Sequence, residues 1–289
     1  MKLAVFGSPI AHSRSPQIHQ AFAAQHGRQI EYTRILAEPE SFPAIFARFQ
    51  VAGGAGANVT VPLKELALQL CDQLSLRAEQ AGAVNTLIKQ GELWLGHNTD
   101  GDGLVADLLR HGLSLQNARV LLVGAGGAIR GVLGPFVDAG CQHIHIVNRT
   151  ARKADTLARE WQTRLTAAAG ATGSAVTSKL APPRITSGGL PTAAGEWDMI
   201  INGTSSGLSN QRPELPEGAL QEHPFCYDMV YGSELPPFLL WAQAHNCAIA
   251  DGLGMLVEQA ALSYFQWTGD VPNTQAVLDS MRSDLTRGE

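Results

Sequence analysis

The stretch from Ala118 to Val147 constrains the fold most. Ala118 to Val123 is apolar apart from Arg119, with Val120 to Val123 unbroken, and Gly124-Ala125-Gly126-Gly127-Ala128 follows it directly. Ile129 to Ala139 then carries apolar residues at helical spacing and ends at Gly140, before a second strand from His143 to Val147. A strand with no polar alternation belongs inside a parallel sheet covered on both faces. Strand, glycine turn, helix and strand within about 30 residues make a βαβ unit.

The glycine turn points to a ligand. Backbone N–H groups at the start of a helix attract a phosphate, and a side chain there would block its approach, hence Gly124, Gly126 and Gly127. Such a turn between a strand and a helix is a Rossmann-like fingerprint for a dinucleotide pyrophosphate. The end of the second strand selects the dinucleotide. NAD sites usually place an acid there for the ribose hydroxyls, whereas this chain has Asn148-Arg149-Thr150, then Arg152 and Lys153. A carboxylate would repel a 2′-phosphate, while Arg and Thr can bond it, so NADP is expected rather than NAD. The plainer alternative is a solvated basic helix start. With 21 Lys+Arg against 26 Asp+Glu and a net charge of −5, no basic excess exists for nucleic acid.

Before this unit, short apolar runs alternate with helical patterns. Leu3 to Phe6, Glu31 to Leu36 and Ala57 to Val61 read as strands. Ser15-Pro16 reads as a helix start with Ser15 as N-cap, Phe42 to Phe49 reads as a helix, and Pro62 opens another. The alternation predicts an α/β layer with parallel strands. After the unit come a helix from Ala151 to Leu165, strands at Trp197 to Asn202 and Phe225 to Met229, a helix from Pro236 to His245, a turn at Asp251-Gly252-Leu253-Gly254 and a long helix from Met255 to Trp267. Thr166 to Gly189, rich in Ala, Gly, Ser and Thr, reads as a loop insertion. Turn formers between Leu95 and Gly103 suggest a domain boundary. The expected fold class is α/β with two domains. Residues 1–101 plus 252–289 would bind substrate, 102–251 would be a Rossmann-like NADP-binding domain, and the active-site cleft would lie between them.

Three polar clusters precede the boundary. Ser13-Arg14-Ser15 offers two hydroxyls beside a helix start, suited to a small carboxylate, or simply an N-cap and turn. In Asn58-Val59-Thr60-Val61-Pro62-Leu63-Lys64, a strand would point Asn58 and Thr60 to one face. Lys64 falls at a helix N-terminus, the unfavourable end of the dipole for a cation, which suggests a use; an exposed surface lysine is the alternative. Asn98-Thr99-Asp100, with Asn85-Thr86 upstream, is by itself an ordinary Asx-type turn. His143 and His145 share a strand face but lack a third ligand cluster, so no metal is expected. Asp102 lies near Asp100 and is expected to face solvent. Cys71, Cys141, Cys226 and Cys247 are widely spaced, as free thiols of a cytoplasmic protein would be. No run of about 18 apolar residues predicts a membrane span.

Taken together, these segments resemble the shikimate dehydrogenase family. The resemblance runs in order through Val5 to Pro16, Gly56 to Lys64, Gly82 to Thr86, Asn98 to Asp100, Gly124 to Ala128, Asn148 to Thr150, Asn202 to Gly207, Tyr227 to Met229 and Asp251 to Val257. It implies reversible NADPH-dependent reduction of 3-dehydroshikimate to shikimate in chorismate and aromatic amino-acid biosynthesis. Lys64 and Asp100 would be the catalytic pair. Ser13 and Ser15 would hold the substrate carboxylate, with Thr60, Asn85, Tyr231 and Gln259 also binding substrate and Asn58 in support. Gly124, Ala125, Gly126, Gly127 and Ala128 would hold the pyrophosphate, and Asn148, Arg149, Thr150 and Lys153 the 2′-phosphate. Thr204, Met229 and Gly252 would lie near the nicotinamide. The implied partner is a small-molecule substrate, in a monomer or homodimer. The rivals are an NAD-linked quinate/shikimate dehydrogenase, disfavoured by the Arg149 corner, and a non-catalytic nucleotide-binding protein, disfavoured by an intact Lys64 and Asp100.

Overall fold

The computed structural model describes residues 1–170 and 181–287. The chain begins with β1 (Lys2–Gly7), α1 (Ser15–Gln25), β2 (Glu31–Leu36), α2 (Phe42–Val51) and β3 (Gly54–Val59). Next come α3 (Lys64–Gln69), β4 (Gln73–Leu74), α4 (Leu76–Ala81), β5 (Thr86–Gln90), β6 (Leu93–His97) and α5 (Asp100–Arg110). The glycine-turn region supplies β7 (Arg119–Val123), α6 (Gly127–Asp138), β8 (His143–Asn148), α7 (Ala151–Gly170) and β9 (Arg184–Gly189). The chain continues with β10 (Met199–Asn202), β11 (Phe225–Asp228), α8 (Pro237–Ala244), β12 (Ile249–Asp251), α9 (Leu253–Thr268) and α10 (Thr274–Arg287). Two compact units form, residues 1–106 with 254–287, and residues 107–253. The divisions fall inside α5 and at the first turn of α9 rather than in the turn-rich stretch near residue 101. That stretch is structured, because β6 and α5 take up most of it.

In the first unit the strand order is β2-β1-β3-β5-β6-β4. β1 pairs in parallel with β2 and β3. Its alternating residues are buried on both faces. Ala4 and Phe6 join Phe42, Phe46 and Phe49, while Leu3 and Val5 join Ile10 and Tyr32. The three strands read from the sequence therefore run parallel as expected, while β5 and β6, not read as strands, add an antiparallel part, since β5 runs antiparallel to both β3 and β6. A two-residue turn, with Gly91 at φ +63°, joins β5 to β6 as a hairpin.

The local expectations around the polar clusters also shift. β3 ends at Val59, so Thr60 and Val61 leave the sheet and Thr60 no longer shares a strand face with Asn58. The helix after Pro62 begins at Lys64 itself. Arg14, not Ser15, stands at the N-cap of α1, and Ser15 and Pro16 occupy its first turn. Asp251-Gly252-Leu253-Gly254 is not a free turn, because Asp251 ends β12 and Leu253 begins α9.

In the second unit, among the described residues, the strand order is β12-β11-β10-β7-β8-β9 and every pairing is parallel. Leu121, Val123, Ile200 and Cys226 pack with Phe238 and Leu239 of α8 on one face. The expected insertion from Thr166 to Gly189 is corrected at both ends. Thr166 continues α7, and Arg184–Gly189 is β9, paired in register with β8. An edge strand with one apolar neighbour needs few large apolar residues, so its Thr, Ser and Gly read as a loop. Positions 171–180 of that stretch lie outside the described residues.

Candidate functional site

The first unit gathers its polar residues at the ends of β3, β5 and β6. The Lys64 ammonium, at the N-terminus of α3, lies 2.6 Å from Asp100 Oδ2 at the N-terminus of α5. Their side chains are 28% and 16% exposed, so the pair is partly withdrawn from water yet still reachable. Asp100 is held from both sides. Its backbone N–H donates to Asn98 Oδ1 at 3.1 Å, and Asn85 Nδ2 donates to its Oδ1 at 2.8 Å. Asn85, only 2% exposed, accepts at Oδ1 from the Thr99 N–H at 3.0 Å and the Thr86 hydroxyl at 2.7 Å. The Thr99 hydroxyl lies 3.0 Å from the Gln259 carbonyl oxygen, and Gln259 Oε1 lies 3.3 Å from Asn85 Nδ2. Buried polar groups fully engaged in this way fix a geometry, because any rearrangement leaves one unsatisfied.

A deeper layer supports that network. Asn58 donates to Ser263 Oγ at 3.0 Å and to the Asn85 carbonyl at 3.1 Å, and accepts from the Tyr32 hydroxyl at 2.7 Å. His19 Nε2 lies 3.0 Å from Asn58 Oδ1, and its ring stacks on Tyr32 at 4.6 Å. Burial lowers the His19 pKa to about 3, so the ring is neutral and Nε2 donates. Sequence reasoning missed His19, Tyr32 and Ser263, and it placed Thr99 in a polar cluster without a role of its own.

Ser13 and Ser15 come together as expected. Ser13 Oγ lies 3.2 Å from Ser15 Oγ, and the Ser15 N–H donates back to Ser13 Oγ at 3.3 Å. Arg34 on β2 fixes the loop by two N–H bonds to the Ser13 carbonyl, at 2.8 and 2.6 Å. Thr60 follows β3, its N–H bonded to the Phe6 carbonyl at 2.9 Å. Asp102 does not simply face solvent, because both its oxygens accept from Arg77 at 2.9 and 3.0 Å. Tyr231 belongs to the second unit, in the loop after β11, whereas the other expected substrate residues lie in the first.

In the second unit a cavity of about 720 Å³ opens at the ends of β7, β8 and β10. Gly124, Ala125, Gly126, Gly127, Ala128, Asn148, Arg149, Thr150, Lys153 and Thr204 all line it. Gly124 takes φ +116°, a conformation that a side chain would strain, and it turns the chain from β7 into α6. A Cβ at Gly126 or Gly127 would meet no atom within 4 Å, so both glycines leave the space over the helix N-terminus open. Asn148 Nδ2 donates to the Thr150 carbonyl at 2.9 Å, which shapes the corner carrying Arg149. Among the described residues no carboxylate pairs with Arg149 or Lys153. The open helix start, the two unpaired cations and the cavity volume fit a phosphorylated dinucleotide.

Thr204 donates to Asn202 Oδ1 at 2.8 Å, and Asn202 Nδ2 donates to the buried Asp228 at 2.8 Å. Burial raises the Asp228 pKa to about 6. Met229 and Gly252 sit further along the sheet, beyond β10, and do not line the cavity. A Cβ on Gly252 would collide with the Met229 carbonyl oxygen, so the two backbones approach as only glycine permits. His143 and His145 both bond Thr186 Oγ1, at 2.8 and 2.7 Å, and among the described residues no group of His, Cys, Asp or Glu could hold a metal. Among those residues, too, no helix is long and apolar enough to cross a membrane.

Comparison with known proteins covers the same segments. Residues 5–87 match the family described as the shikimate dehydrogenase substrate binding domain. Residues 107–172 match shikimate / quinate 5-dehydrogenase, and residues 252–282 match the shikimate 5′-dehydrogenase C-terminal domain. The chain is 49% identical over 286 residues to the shikimate dehydrogenase (NADP(+)) of Bordetella avium, covering 98% of this chain and 96% of that protein. It is 47% identical over 280 residues to the protein of the same name from Alcanivorax borkumensis, covering 96% and 95%. Its fold resembles the crystal structure of shikimate 5-dehydrogenase from Thermus thermophilus in complex with NADP(H) and shikimate. That similarity has a TM-score of 0.82 at 30% identity, over 99% of this chain and 100% of that one.

Proposed function

The chain belongs to the shikimate dehydrogenase family, and from that premise we propose that it catalyses the reversible NADPH-dependent reduction of 3-dehydroshikimate to shikimate. The observation that carries this reading is the Lys64–Asp100 pair, 2.6 Å apart and fixed by Asn85 in a half-buried site. When bound, NADPH supplies the hydride to the ring carbonyl carbon. The carbonyl oxygen then gains negative charge and must take up a proton. Lys64 presents an ammonium to that oxygen, stabilises the developing alkoxide and donates the proton; in the reverse direction it accepts the proton from the hydroxyl. Asp100 pairs with the ammonium and, held by Asn85 and Asn98, fixes its direction.

Ser13 and Ser15 bind the substrate carboxylate, and Thr60, Gln259 and Tyr231 bond its ring hydroxyls. Asn85, whose amide is engaged on every side, acts by holding Asp100. The α6 N-terminus with Gly124 to Ala128 takes the pyrophosphate. Asn148, Arg149, Thr150 and Lys153 surround the 2′-phosphate, while Thr204, Met229 and Gly252 shape the nicotinamide end. We place the enzyme in the cytoplasm, where Cys71, Cys141, Cys226 and Cys247 stay reduced, and expect it to act as a monomer or homodimer.

The test is an assay of NADPH formation from shikimate and NADP+, run beside quinate and with NAD+ in place of NADP+. Turnover of shikimate with NADP+ above the other combinations supports the reading. Absence of that turnover, or a preference for NAD+, overturns it.

A further inference from the structure

The cavity of the second unit holds a cation that the sequence did not single out. Arg212 lies on its wall, in the loop after β10. Its guanidinium carbon stands 4.8 Å from the centre of the Trp241 ring of α8, and it donates to the Pro213 carbonyl at 3.4 Å. Among the described residues no carboxylate pairs with it, although Glu214 shares the same wall. The aromatic face restrains a side chain that would otherwise sample solvent, and it leaves most of the guanidinium N–H groups without a partner.

The sheet order places this cation relative to the other two. β7, which ends in the glycine turn, lies between β10 and β8. Arg149 and Lys153 follow β8 and stand on one flank of the turn, whereas Arg212 follows β10 on the opposite flank. A dinucleotide with its 2′-phosphate at the β8 corner and its pyrophosphate over Gly126-Gly127 would present the pyrophosphate to Arg212. Resting on the NADP reading above, we propose that Arg212 is a third cofactor-binding cation, which holds the pyrophosphate that NAD and NADP share. Arg149 and Lys153 discriminate between the two cofactors; Arg212 strengthens both alike.

Calorimetric titration of the full chain and of Arg212→Ala, Arg212→Lys and Arg149→Ala, with NADP+, NAD+ and 2′-AMP as probes, tests this. Arg212→Ala is expected to weaken NADP+ and NAD+ each by about tenfold, the scale of one charge-assisted bond, and to leave 2′-AMP unchanged. Raising salt should weaken NADP+ binding less steeply in Arg212→Ala than in wild type, and Arg212→Lys should recover part of the loss. A purely structural role for Arg212 would give neither the salt effect nor the recovery. NADP+ binding as tight in Arg212→Ala as in wild type would overturn this proposal alone, as would a loss confined to NADP+ and 2′-AMP. A wild-type chain that bound no NADP+ would overturn the cofactor reading as well.

Discussion

The two units carry opposite kinds of polar site. In the first, each key group already has its partner: Lys64 has Asp100, Asp100 has Asn85, and Asn85 has Thr86 and Thr99. In the second, Arg149, Lys153 and Arg212 line an open cavity with no carboxylate paired to them among the described residues. The difference follows from what each must do. Groups that move a proton must be preorganised, because reorganisation during the reaction would raise the barrier. Groups that hold a polyanion are best left unpaired, because the ligand brings the counter-charge and an internal partner would compete with it.

Substitutions can break this contrast, and the largest effect is expected at the preorganised pair. Lys64→Ala should lower kcat by about 10²–10⁴ while NADP+ affinity, read by titration, stays unchanged. Lost cofactor affinity with retained turnover would move Lys64 out of the catalytic role.

The closed network should also be the acid-sensitive one. The His19 pKa falls from 6.5 to about 3 on folding, because burial disfavours the charged ring. Between those values the unfolded chain binds a proton that the folded chain does not, so stability falls as pH drops from 6.5 toward 3. The contribution is of the order of a few kcal/mol. His19→Gln, which keeps a donor toward Asn58, should flatten the pH dependence of urea unfolding over that range. An unchanged slope would show that His19 is not its source.

Smaller effects follow at the open cavity and at the periphery. Arg149→Ala should weaken NADP+ by about tenfold and leave NAD+ nearly unaffected; equal losses would place Arg149 away from the 2′-phosphate. Asp102→Asn removes the carboxylate charge opposite a partly exposed Arg77, so thermal unfolding should register less than about 1 kcal/mol. A large loss of turnover there would tie Asp102 to the catalytic pair.

Much of the second unit was legible because its signals are local. Val120 to Ala128 and Asn148 to Lys153 are contiguous runs, and a βαβ unit brings them together within a single crossover. The first unit was less so. Its parallel strands β1, β2 and β3 were read, but the β5–β6 hairpin, closed by the short Gly91-Glu92 turn, was not. Ser15 reads as an N-cap and Thr60 as a strand residue, yet Arg14 caps α1 and β3 ends at Val59, because a local pattern leaves element ends uncertain by a residue or two.

By itself, then, the sequence determined the glycine turn, the basic corner, the family resemblance and the residue types of the catalytic pair. Each of these lies in short-range spacing or in a contiguous motif. Only the tertiary structure decided that Asn85 holds Asp100, that His19, Tyr32 and Ser263 stand behind Asn58, and that Arg212 rests on Trp241 at the cavity wall. Ser263 reaches Asn58 across 205 positions, and no periodicity reports a contact of that range. Such pairings arise when strands and helices pack and bring polar side chains distant in sequence within hydrogen-bond reach.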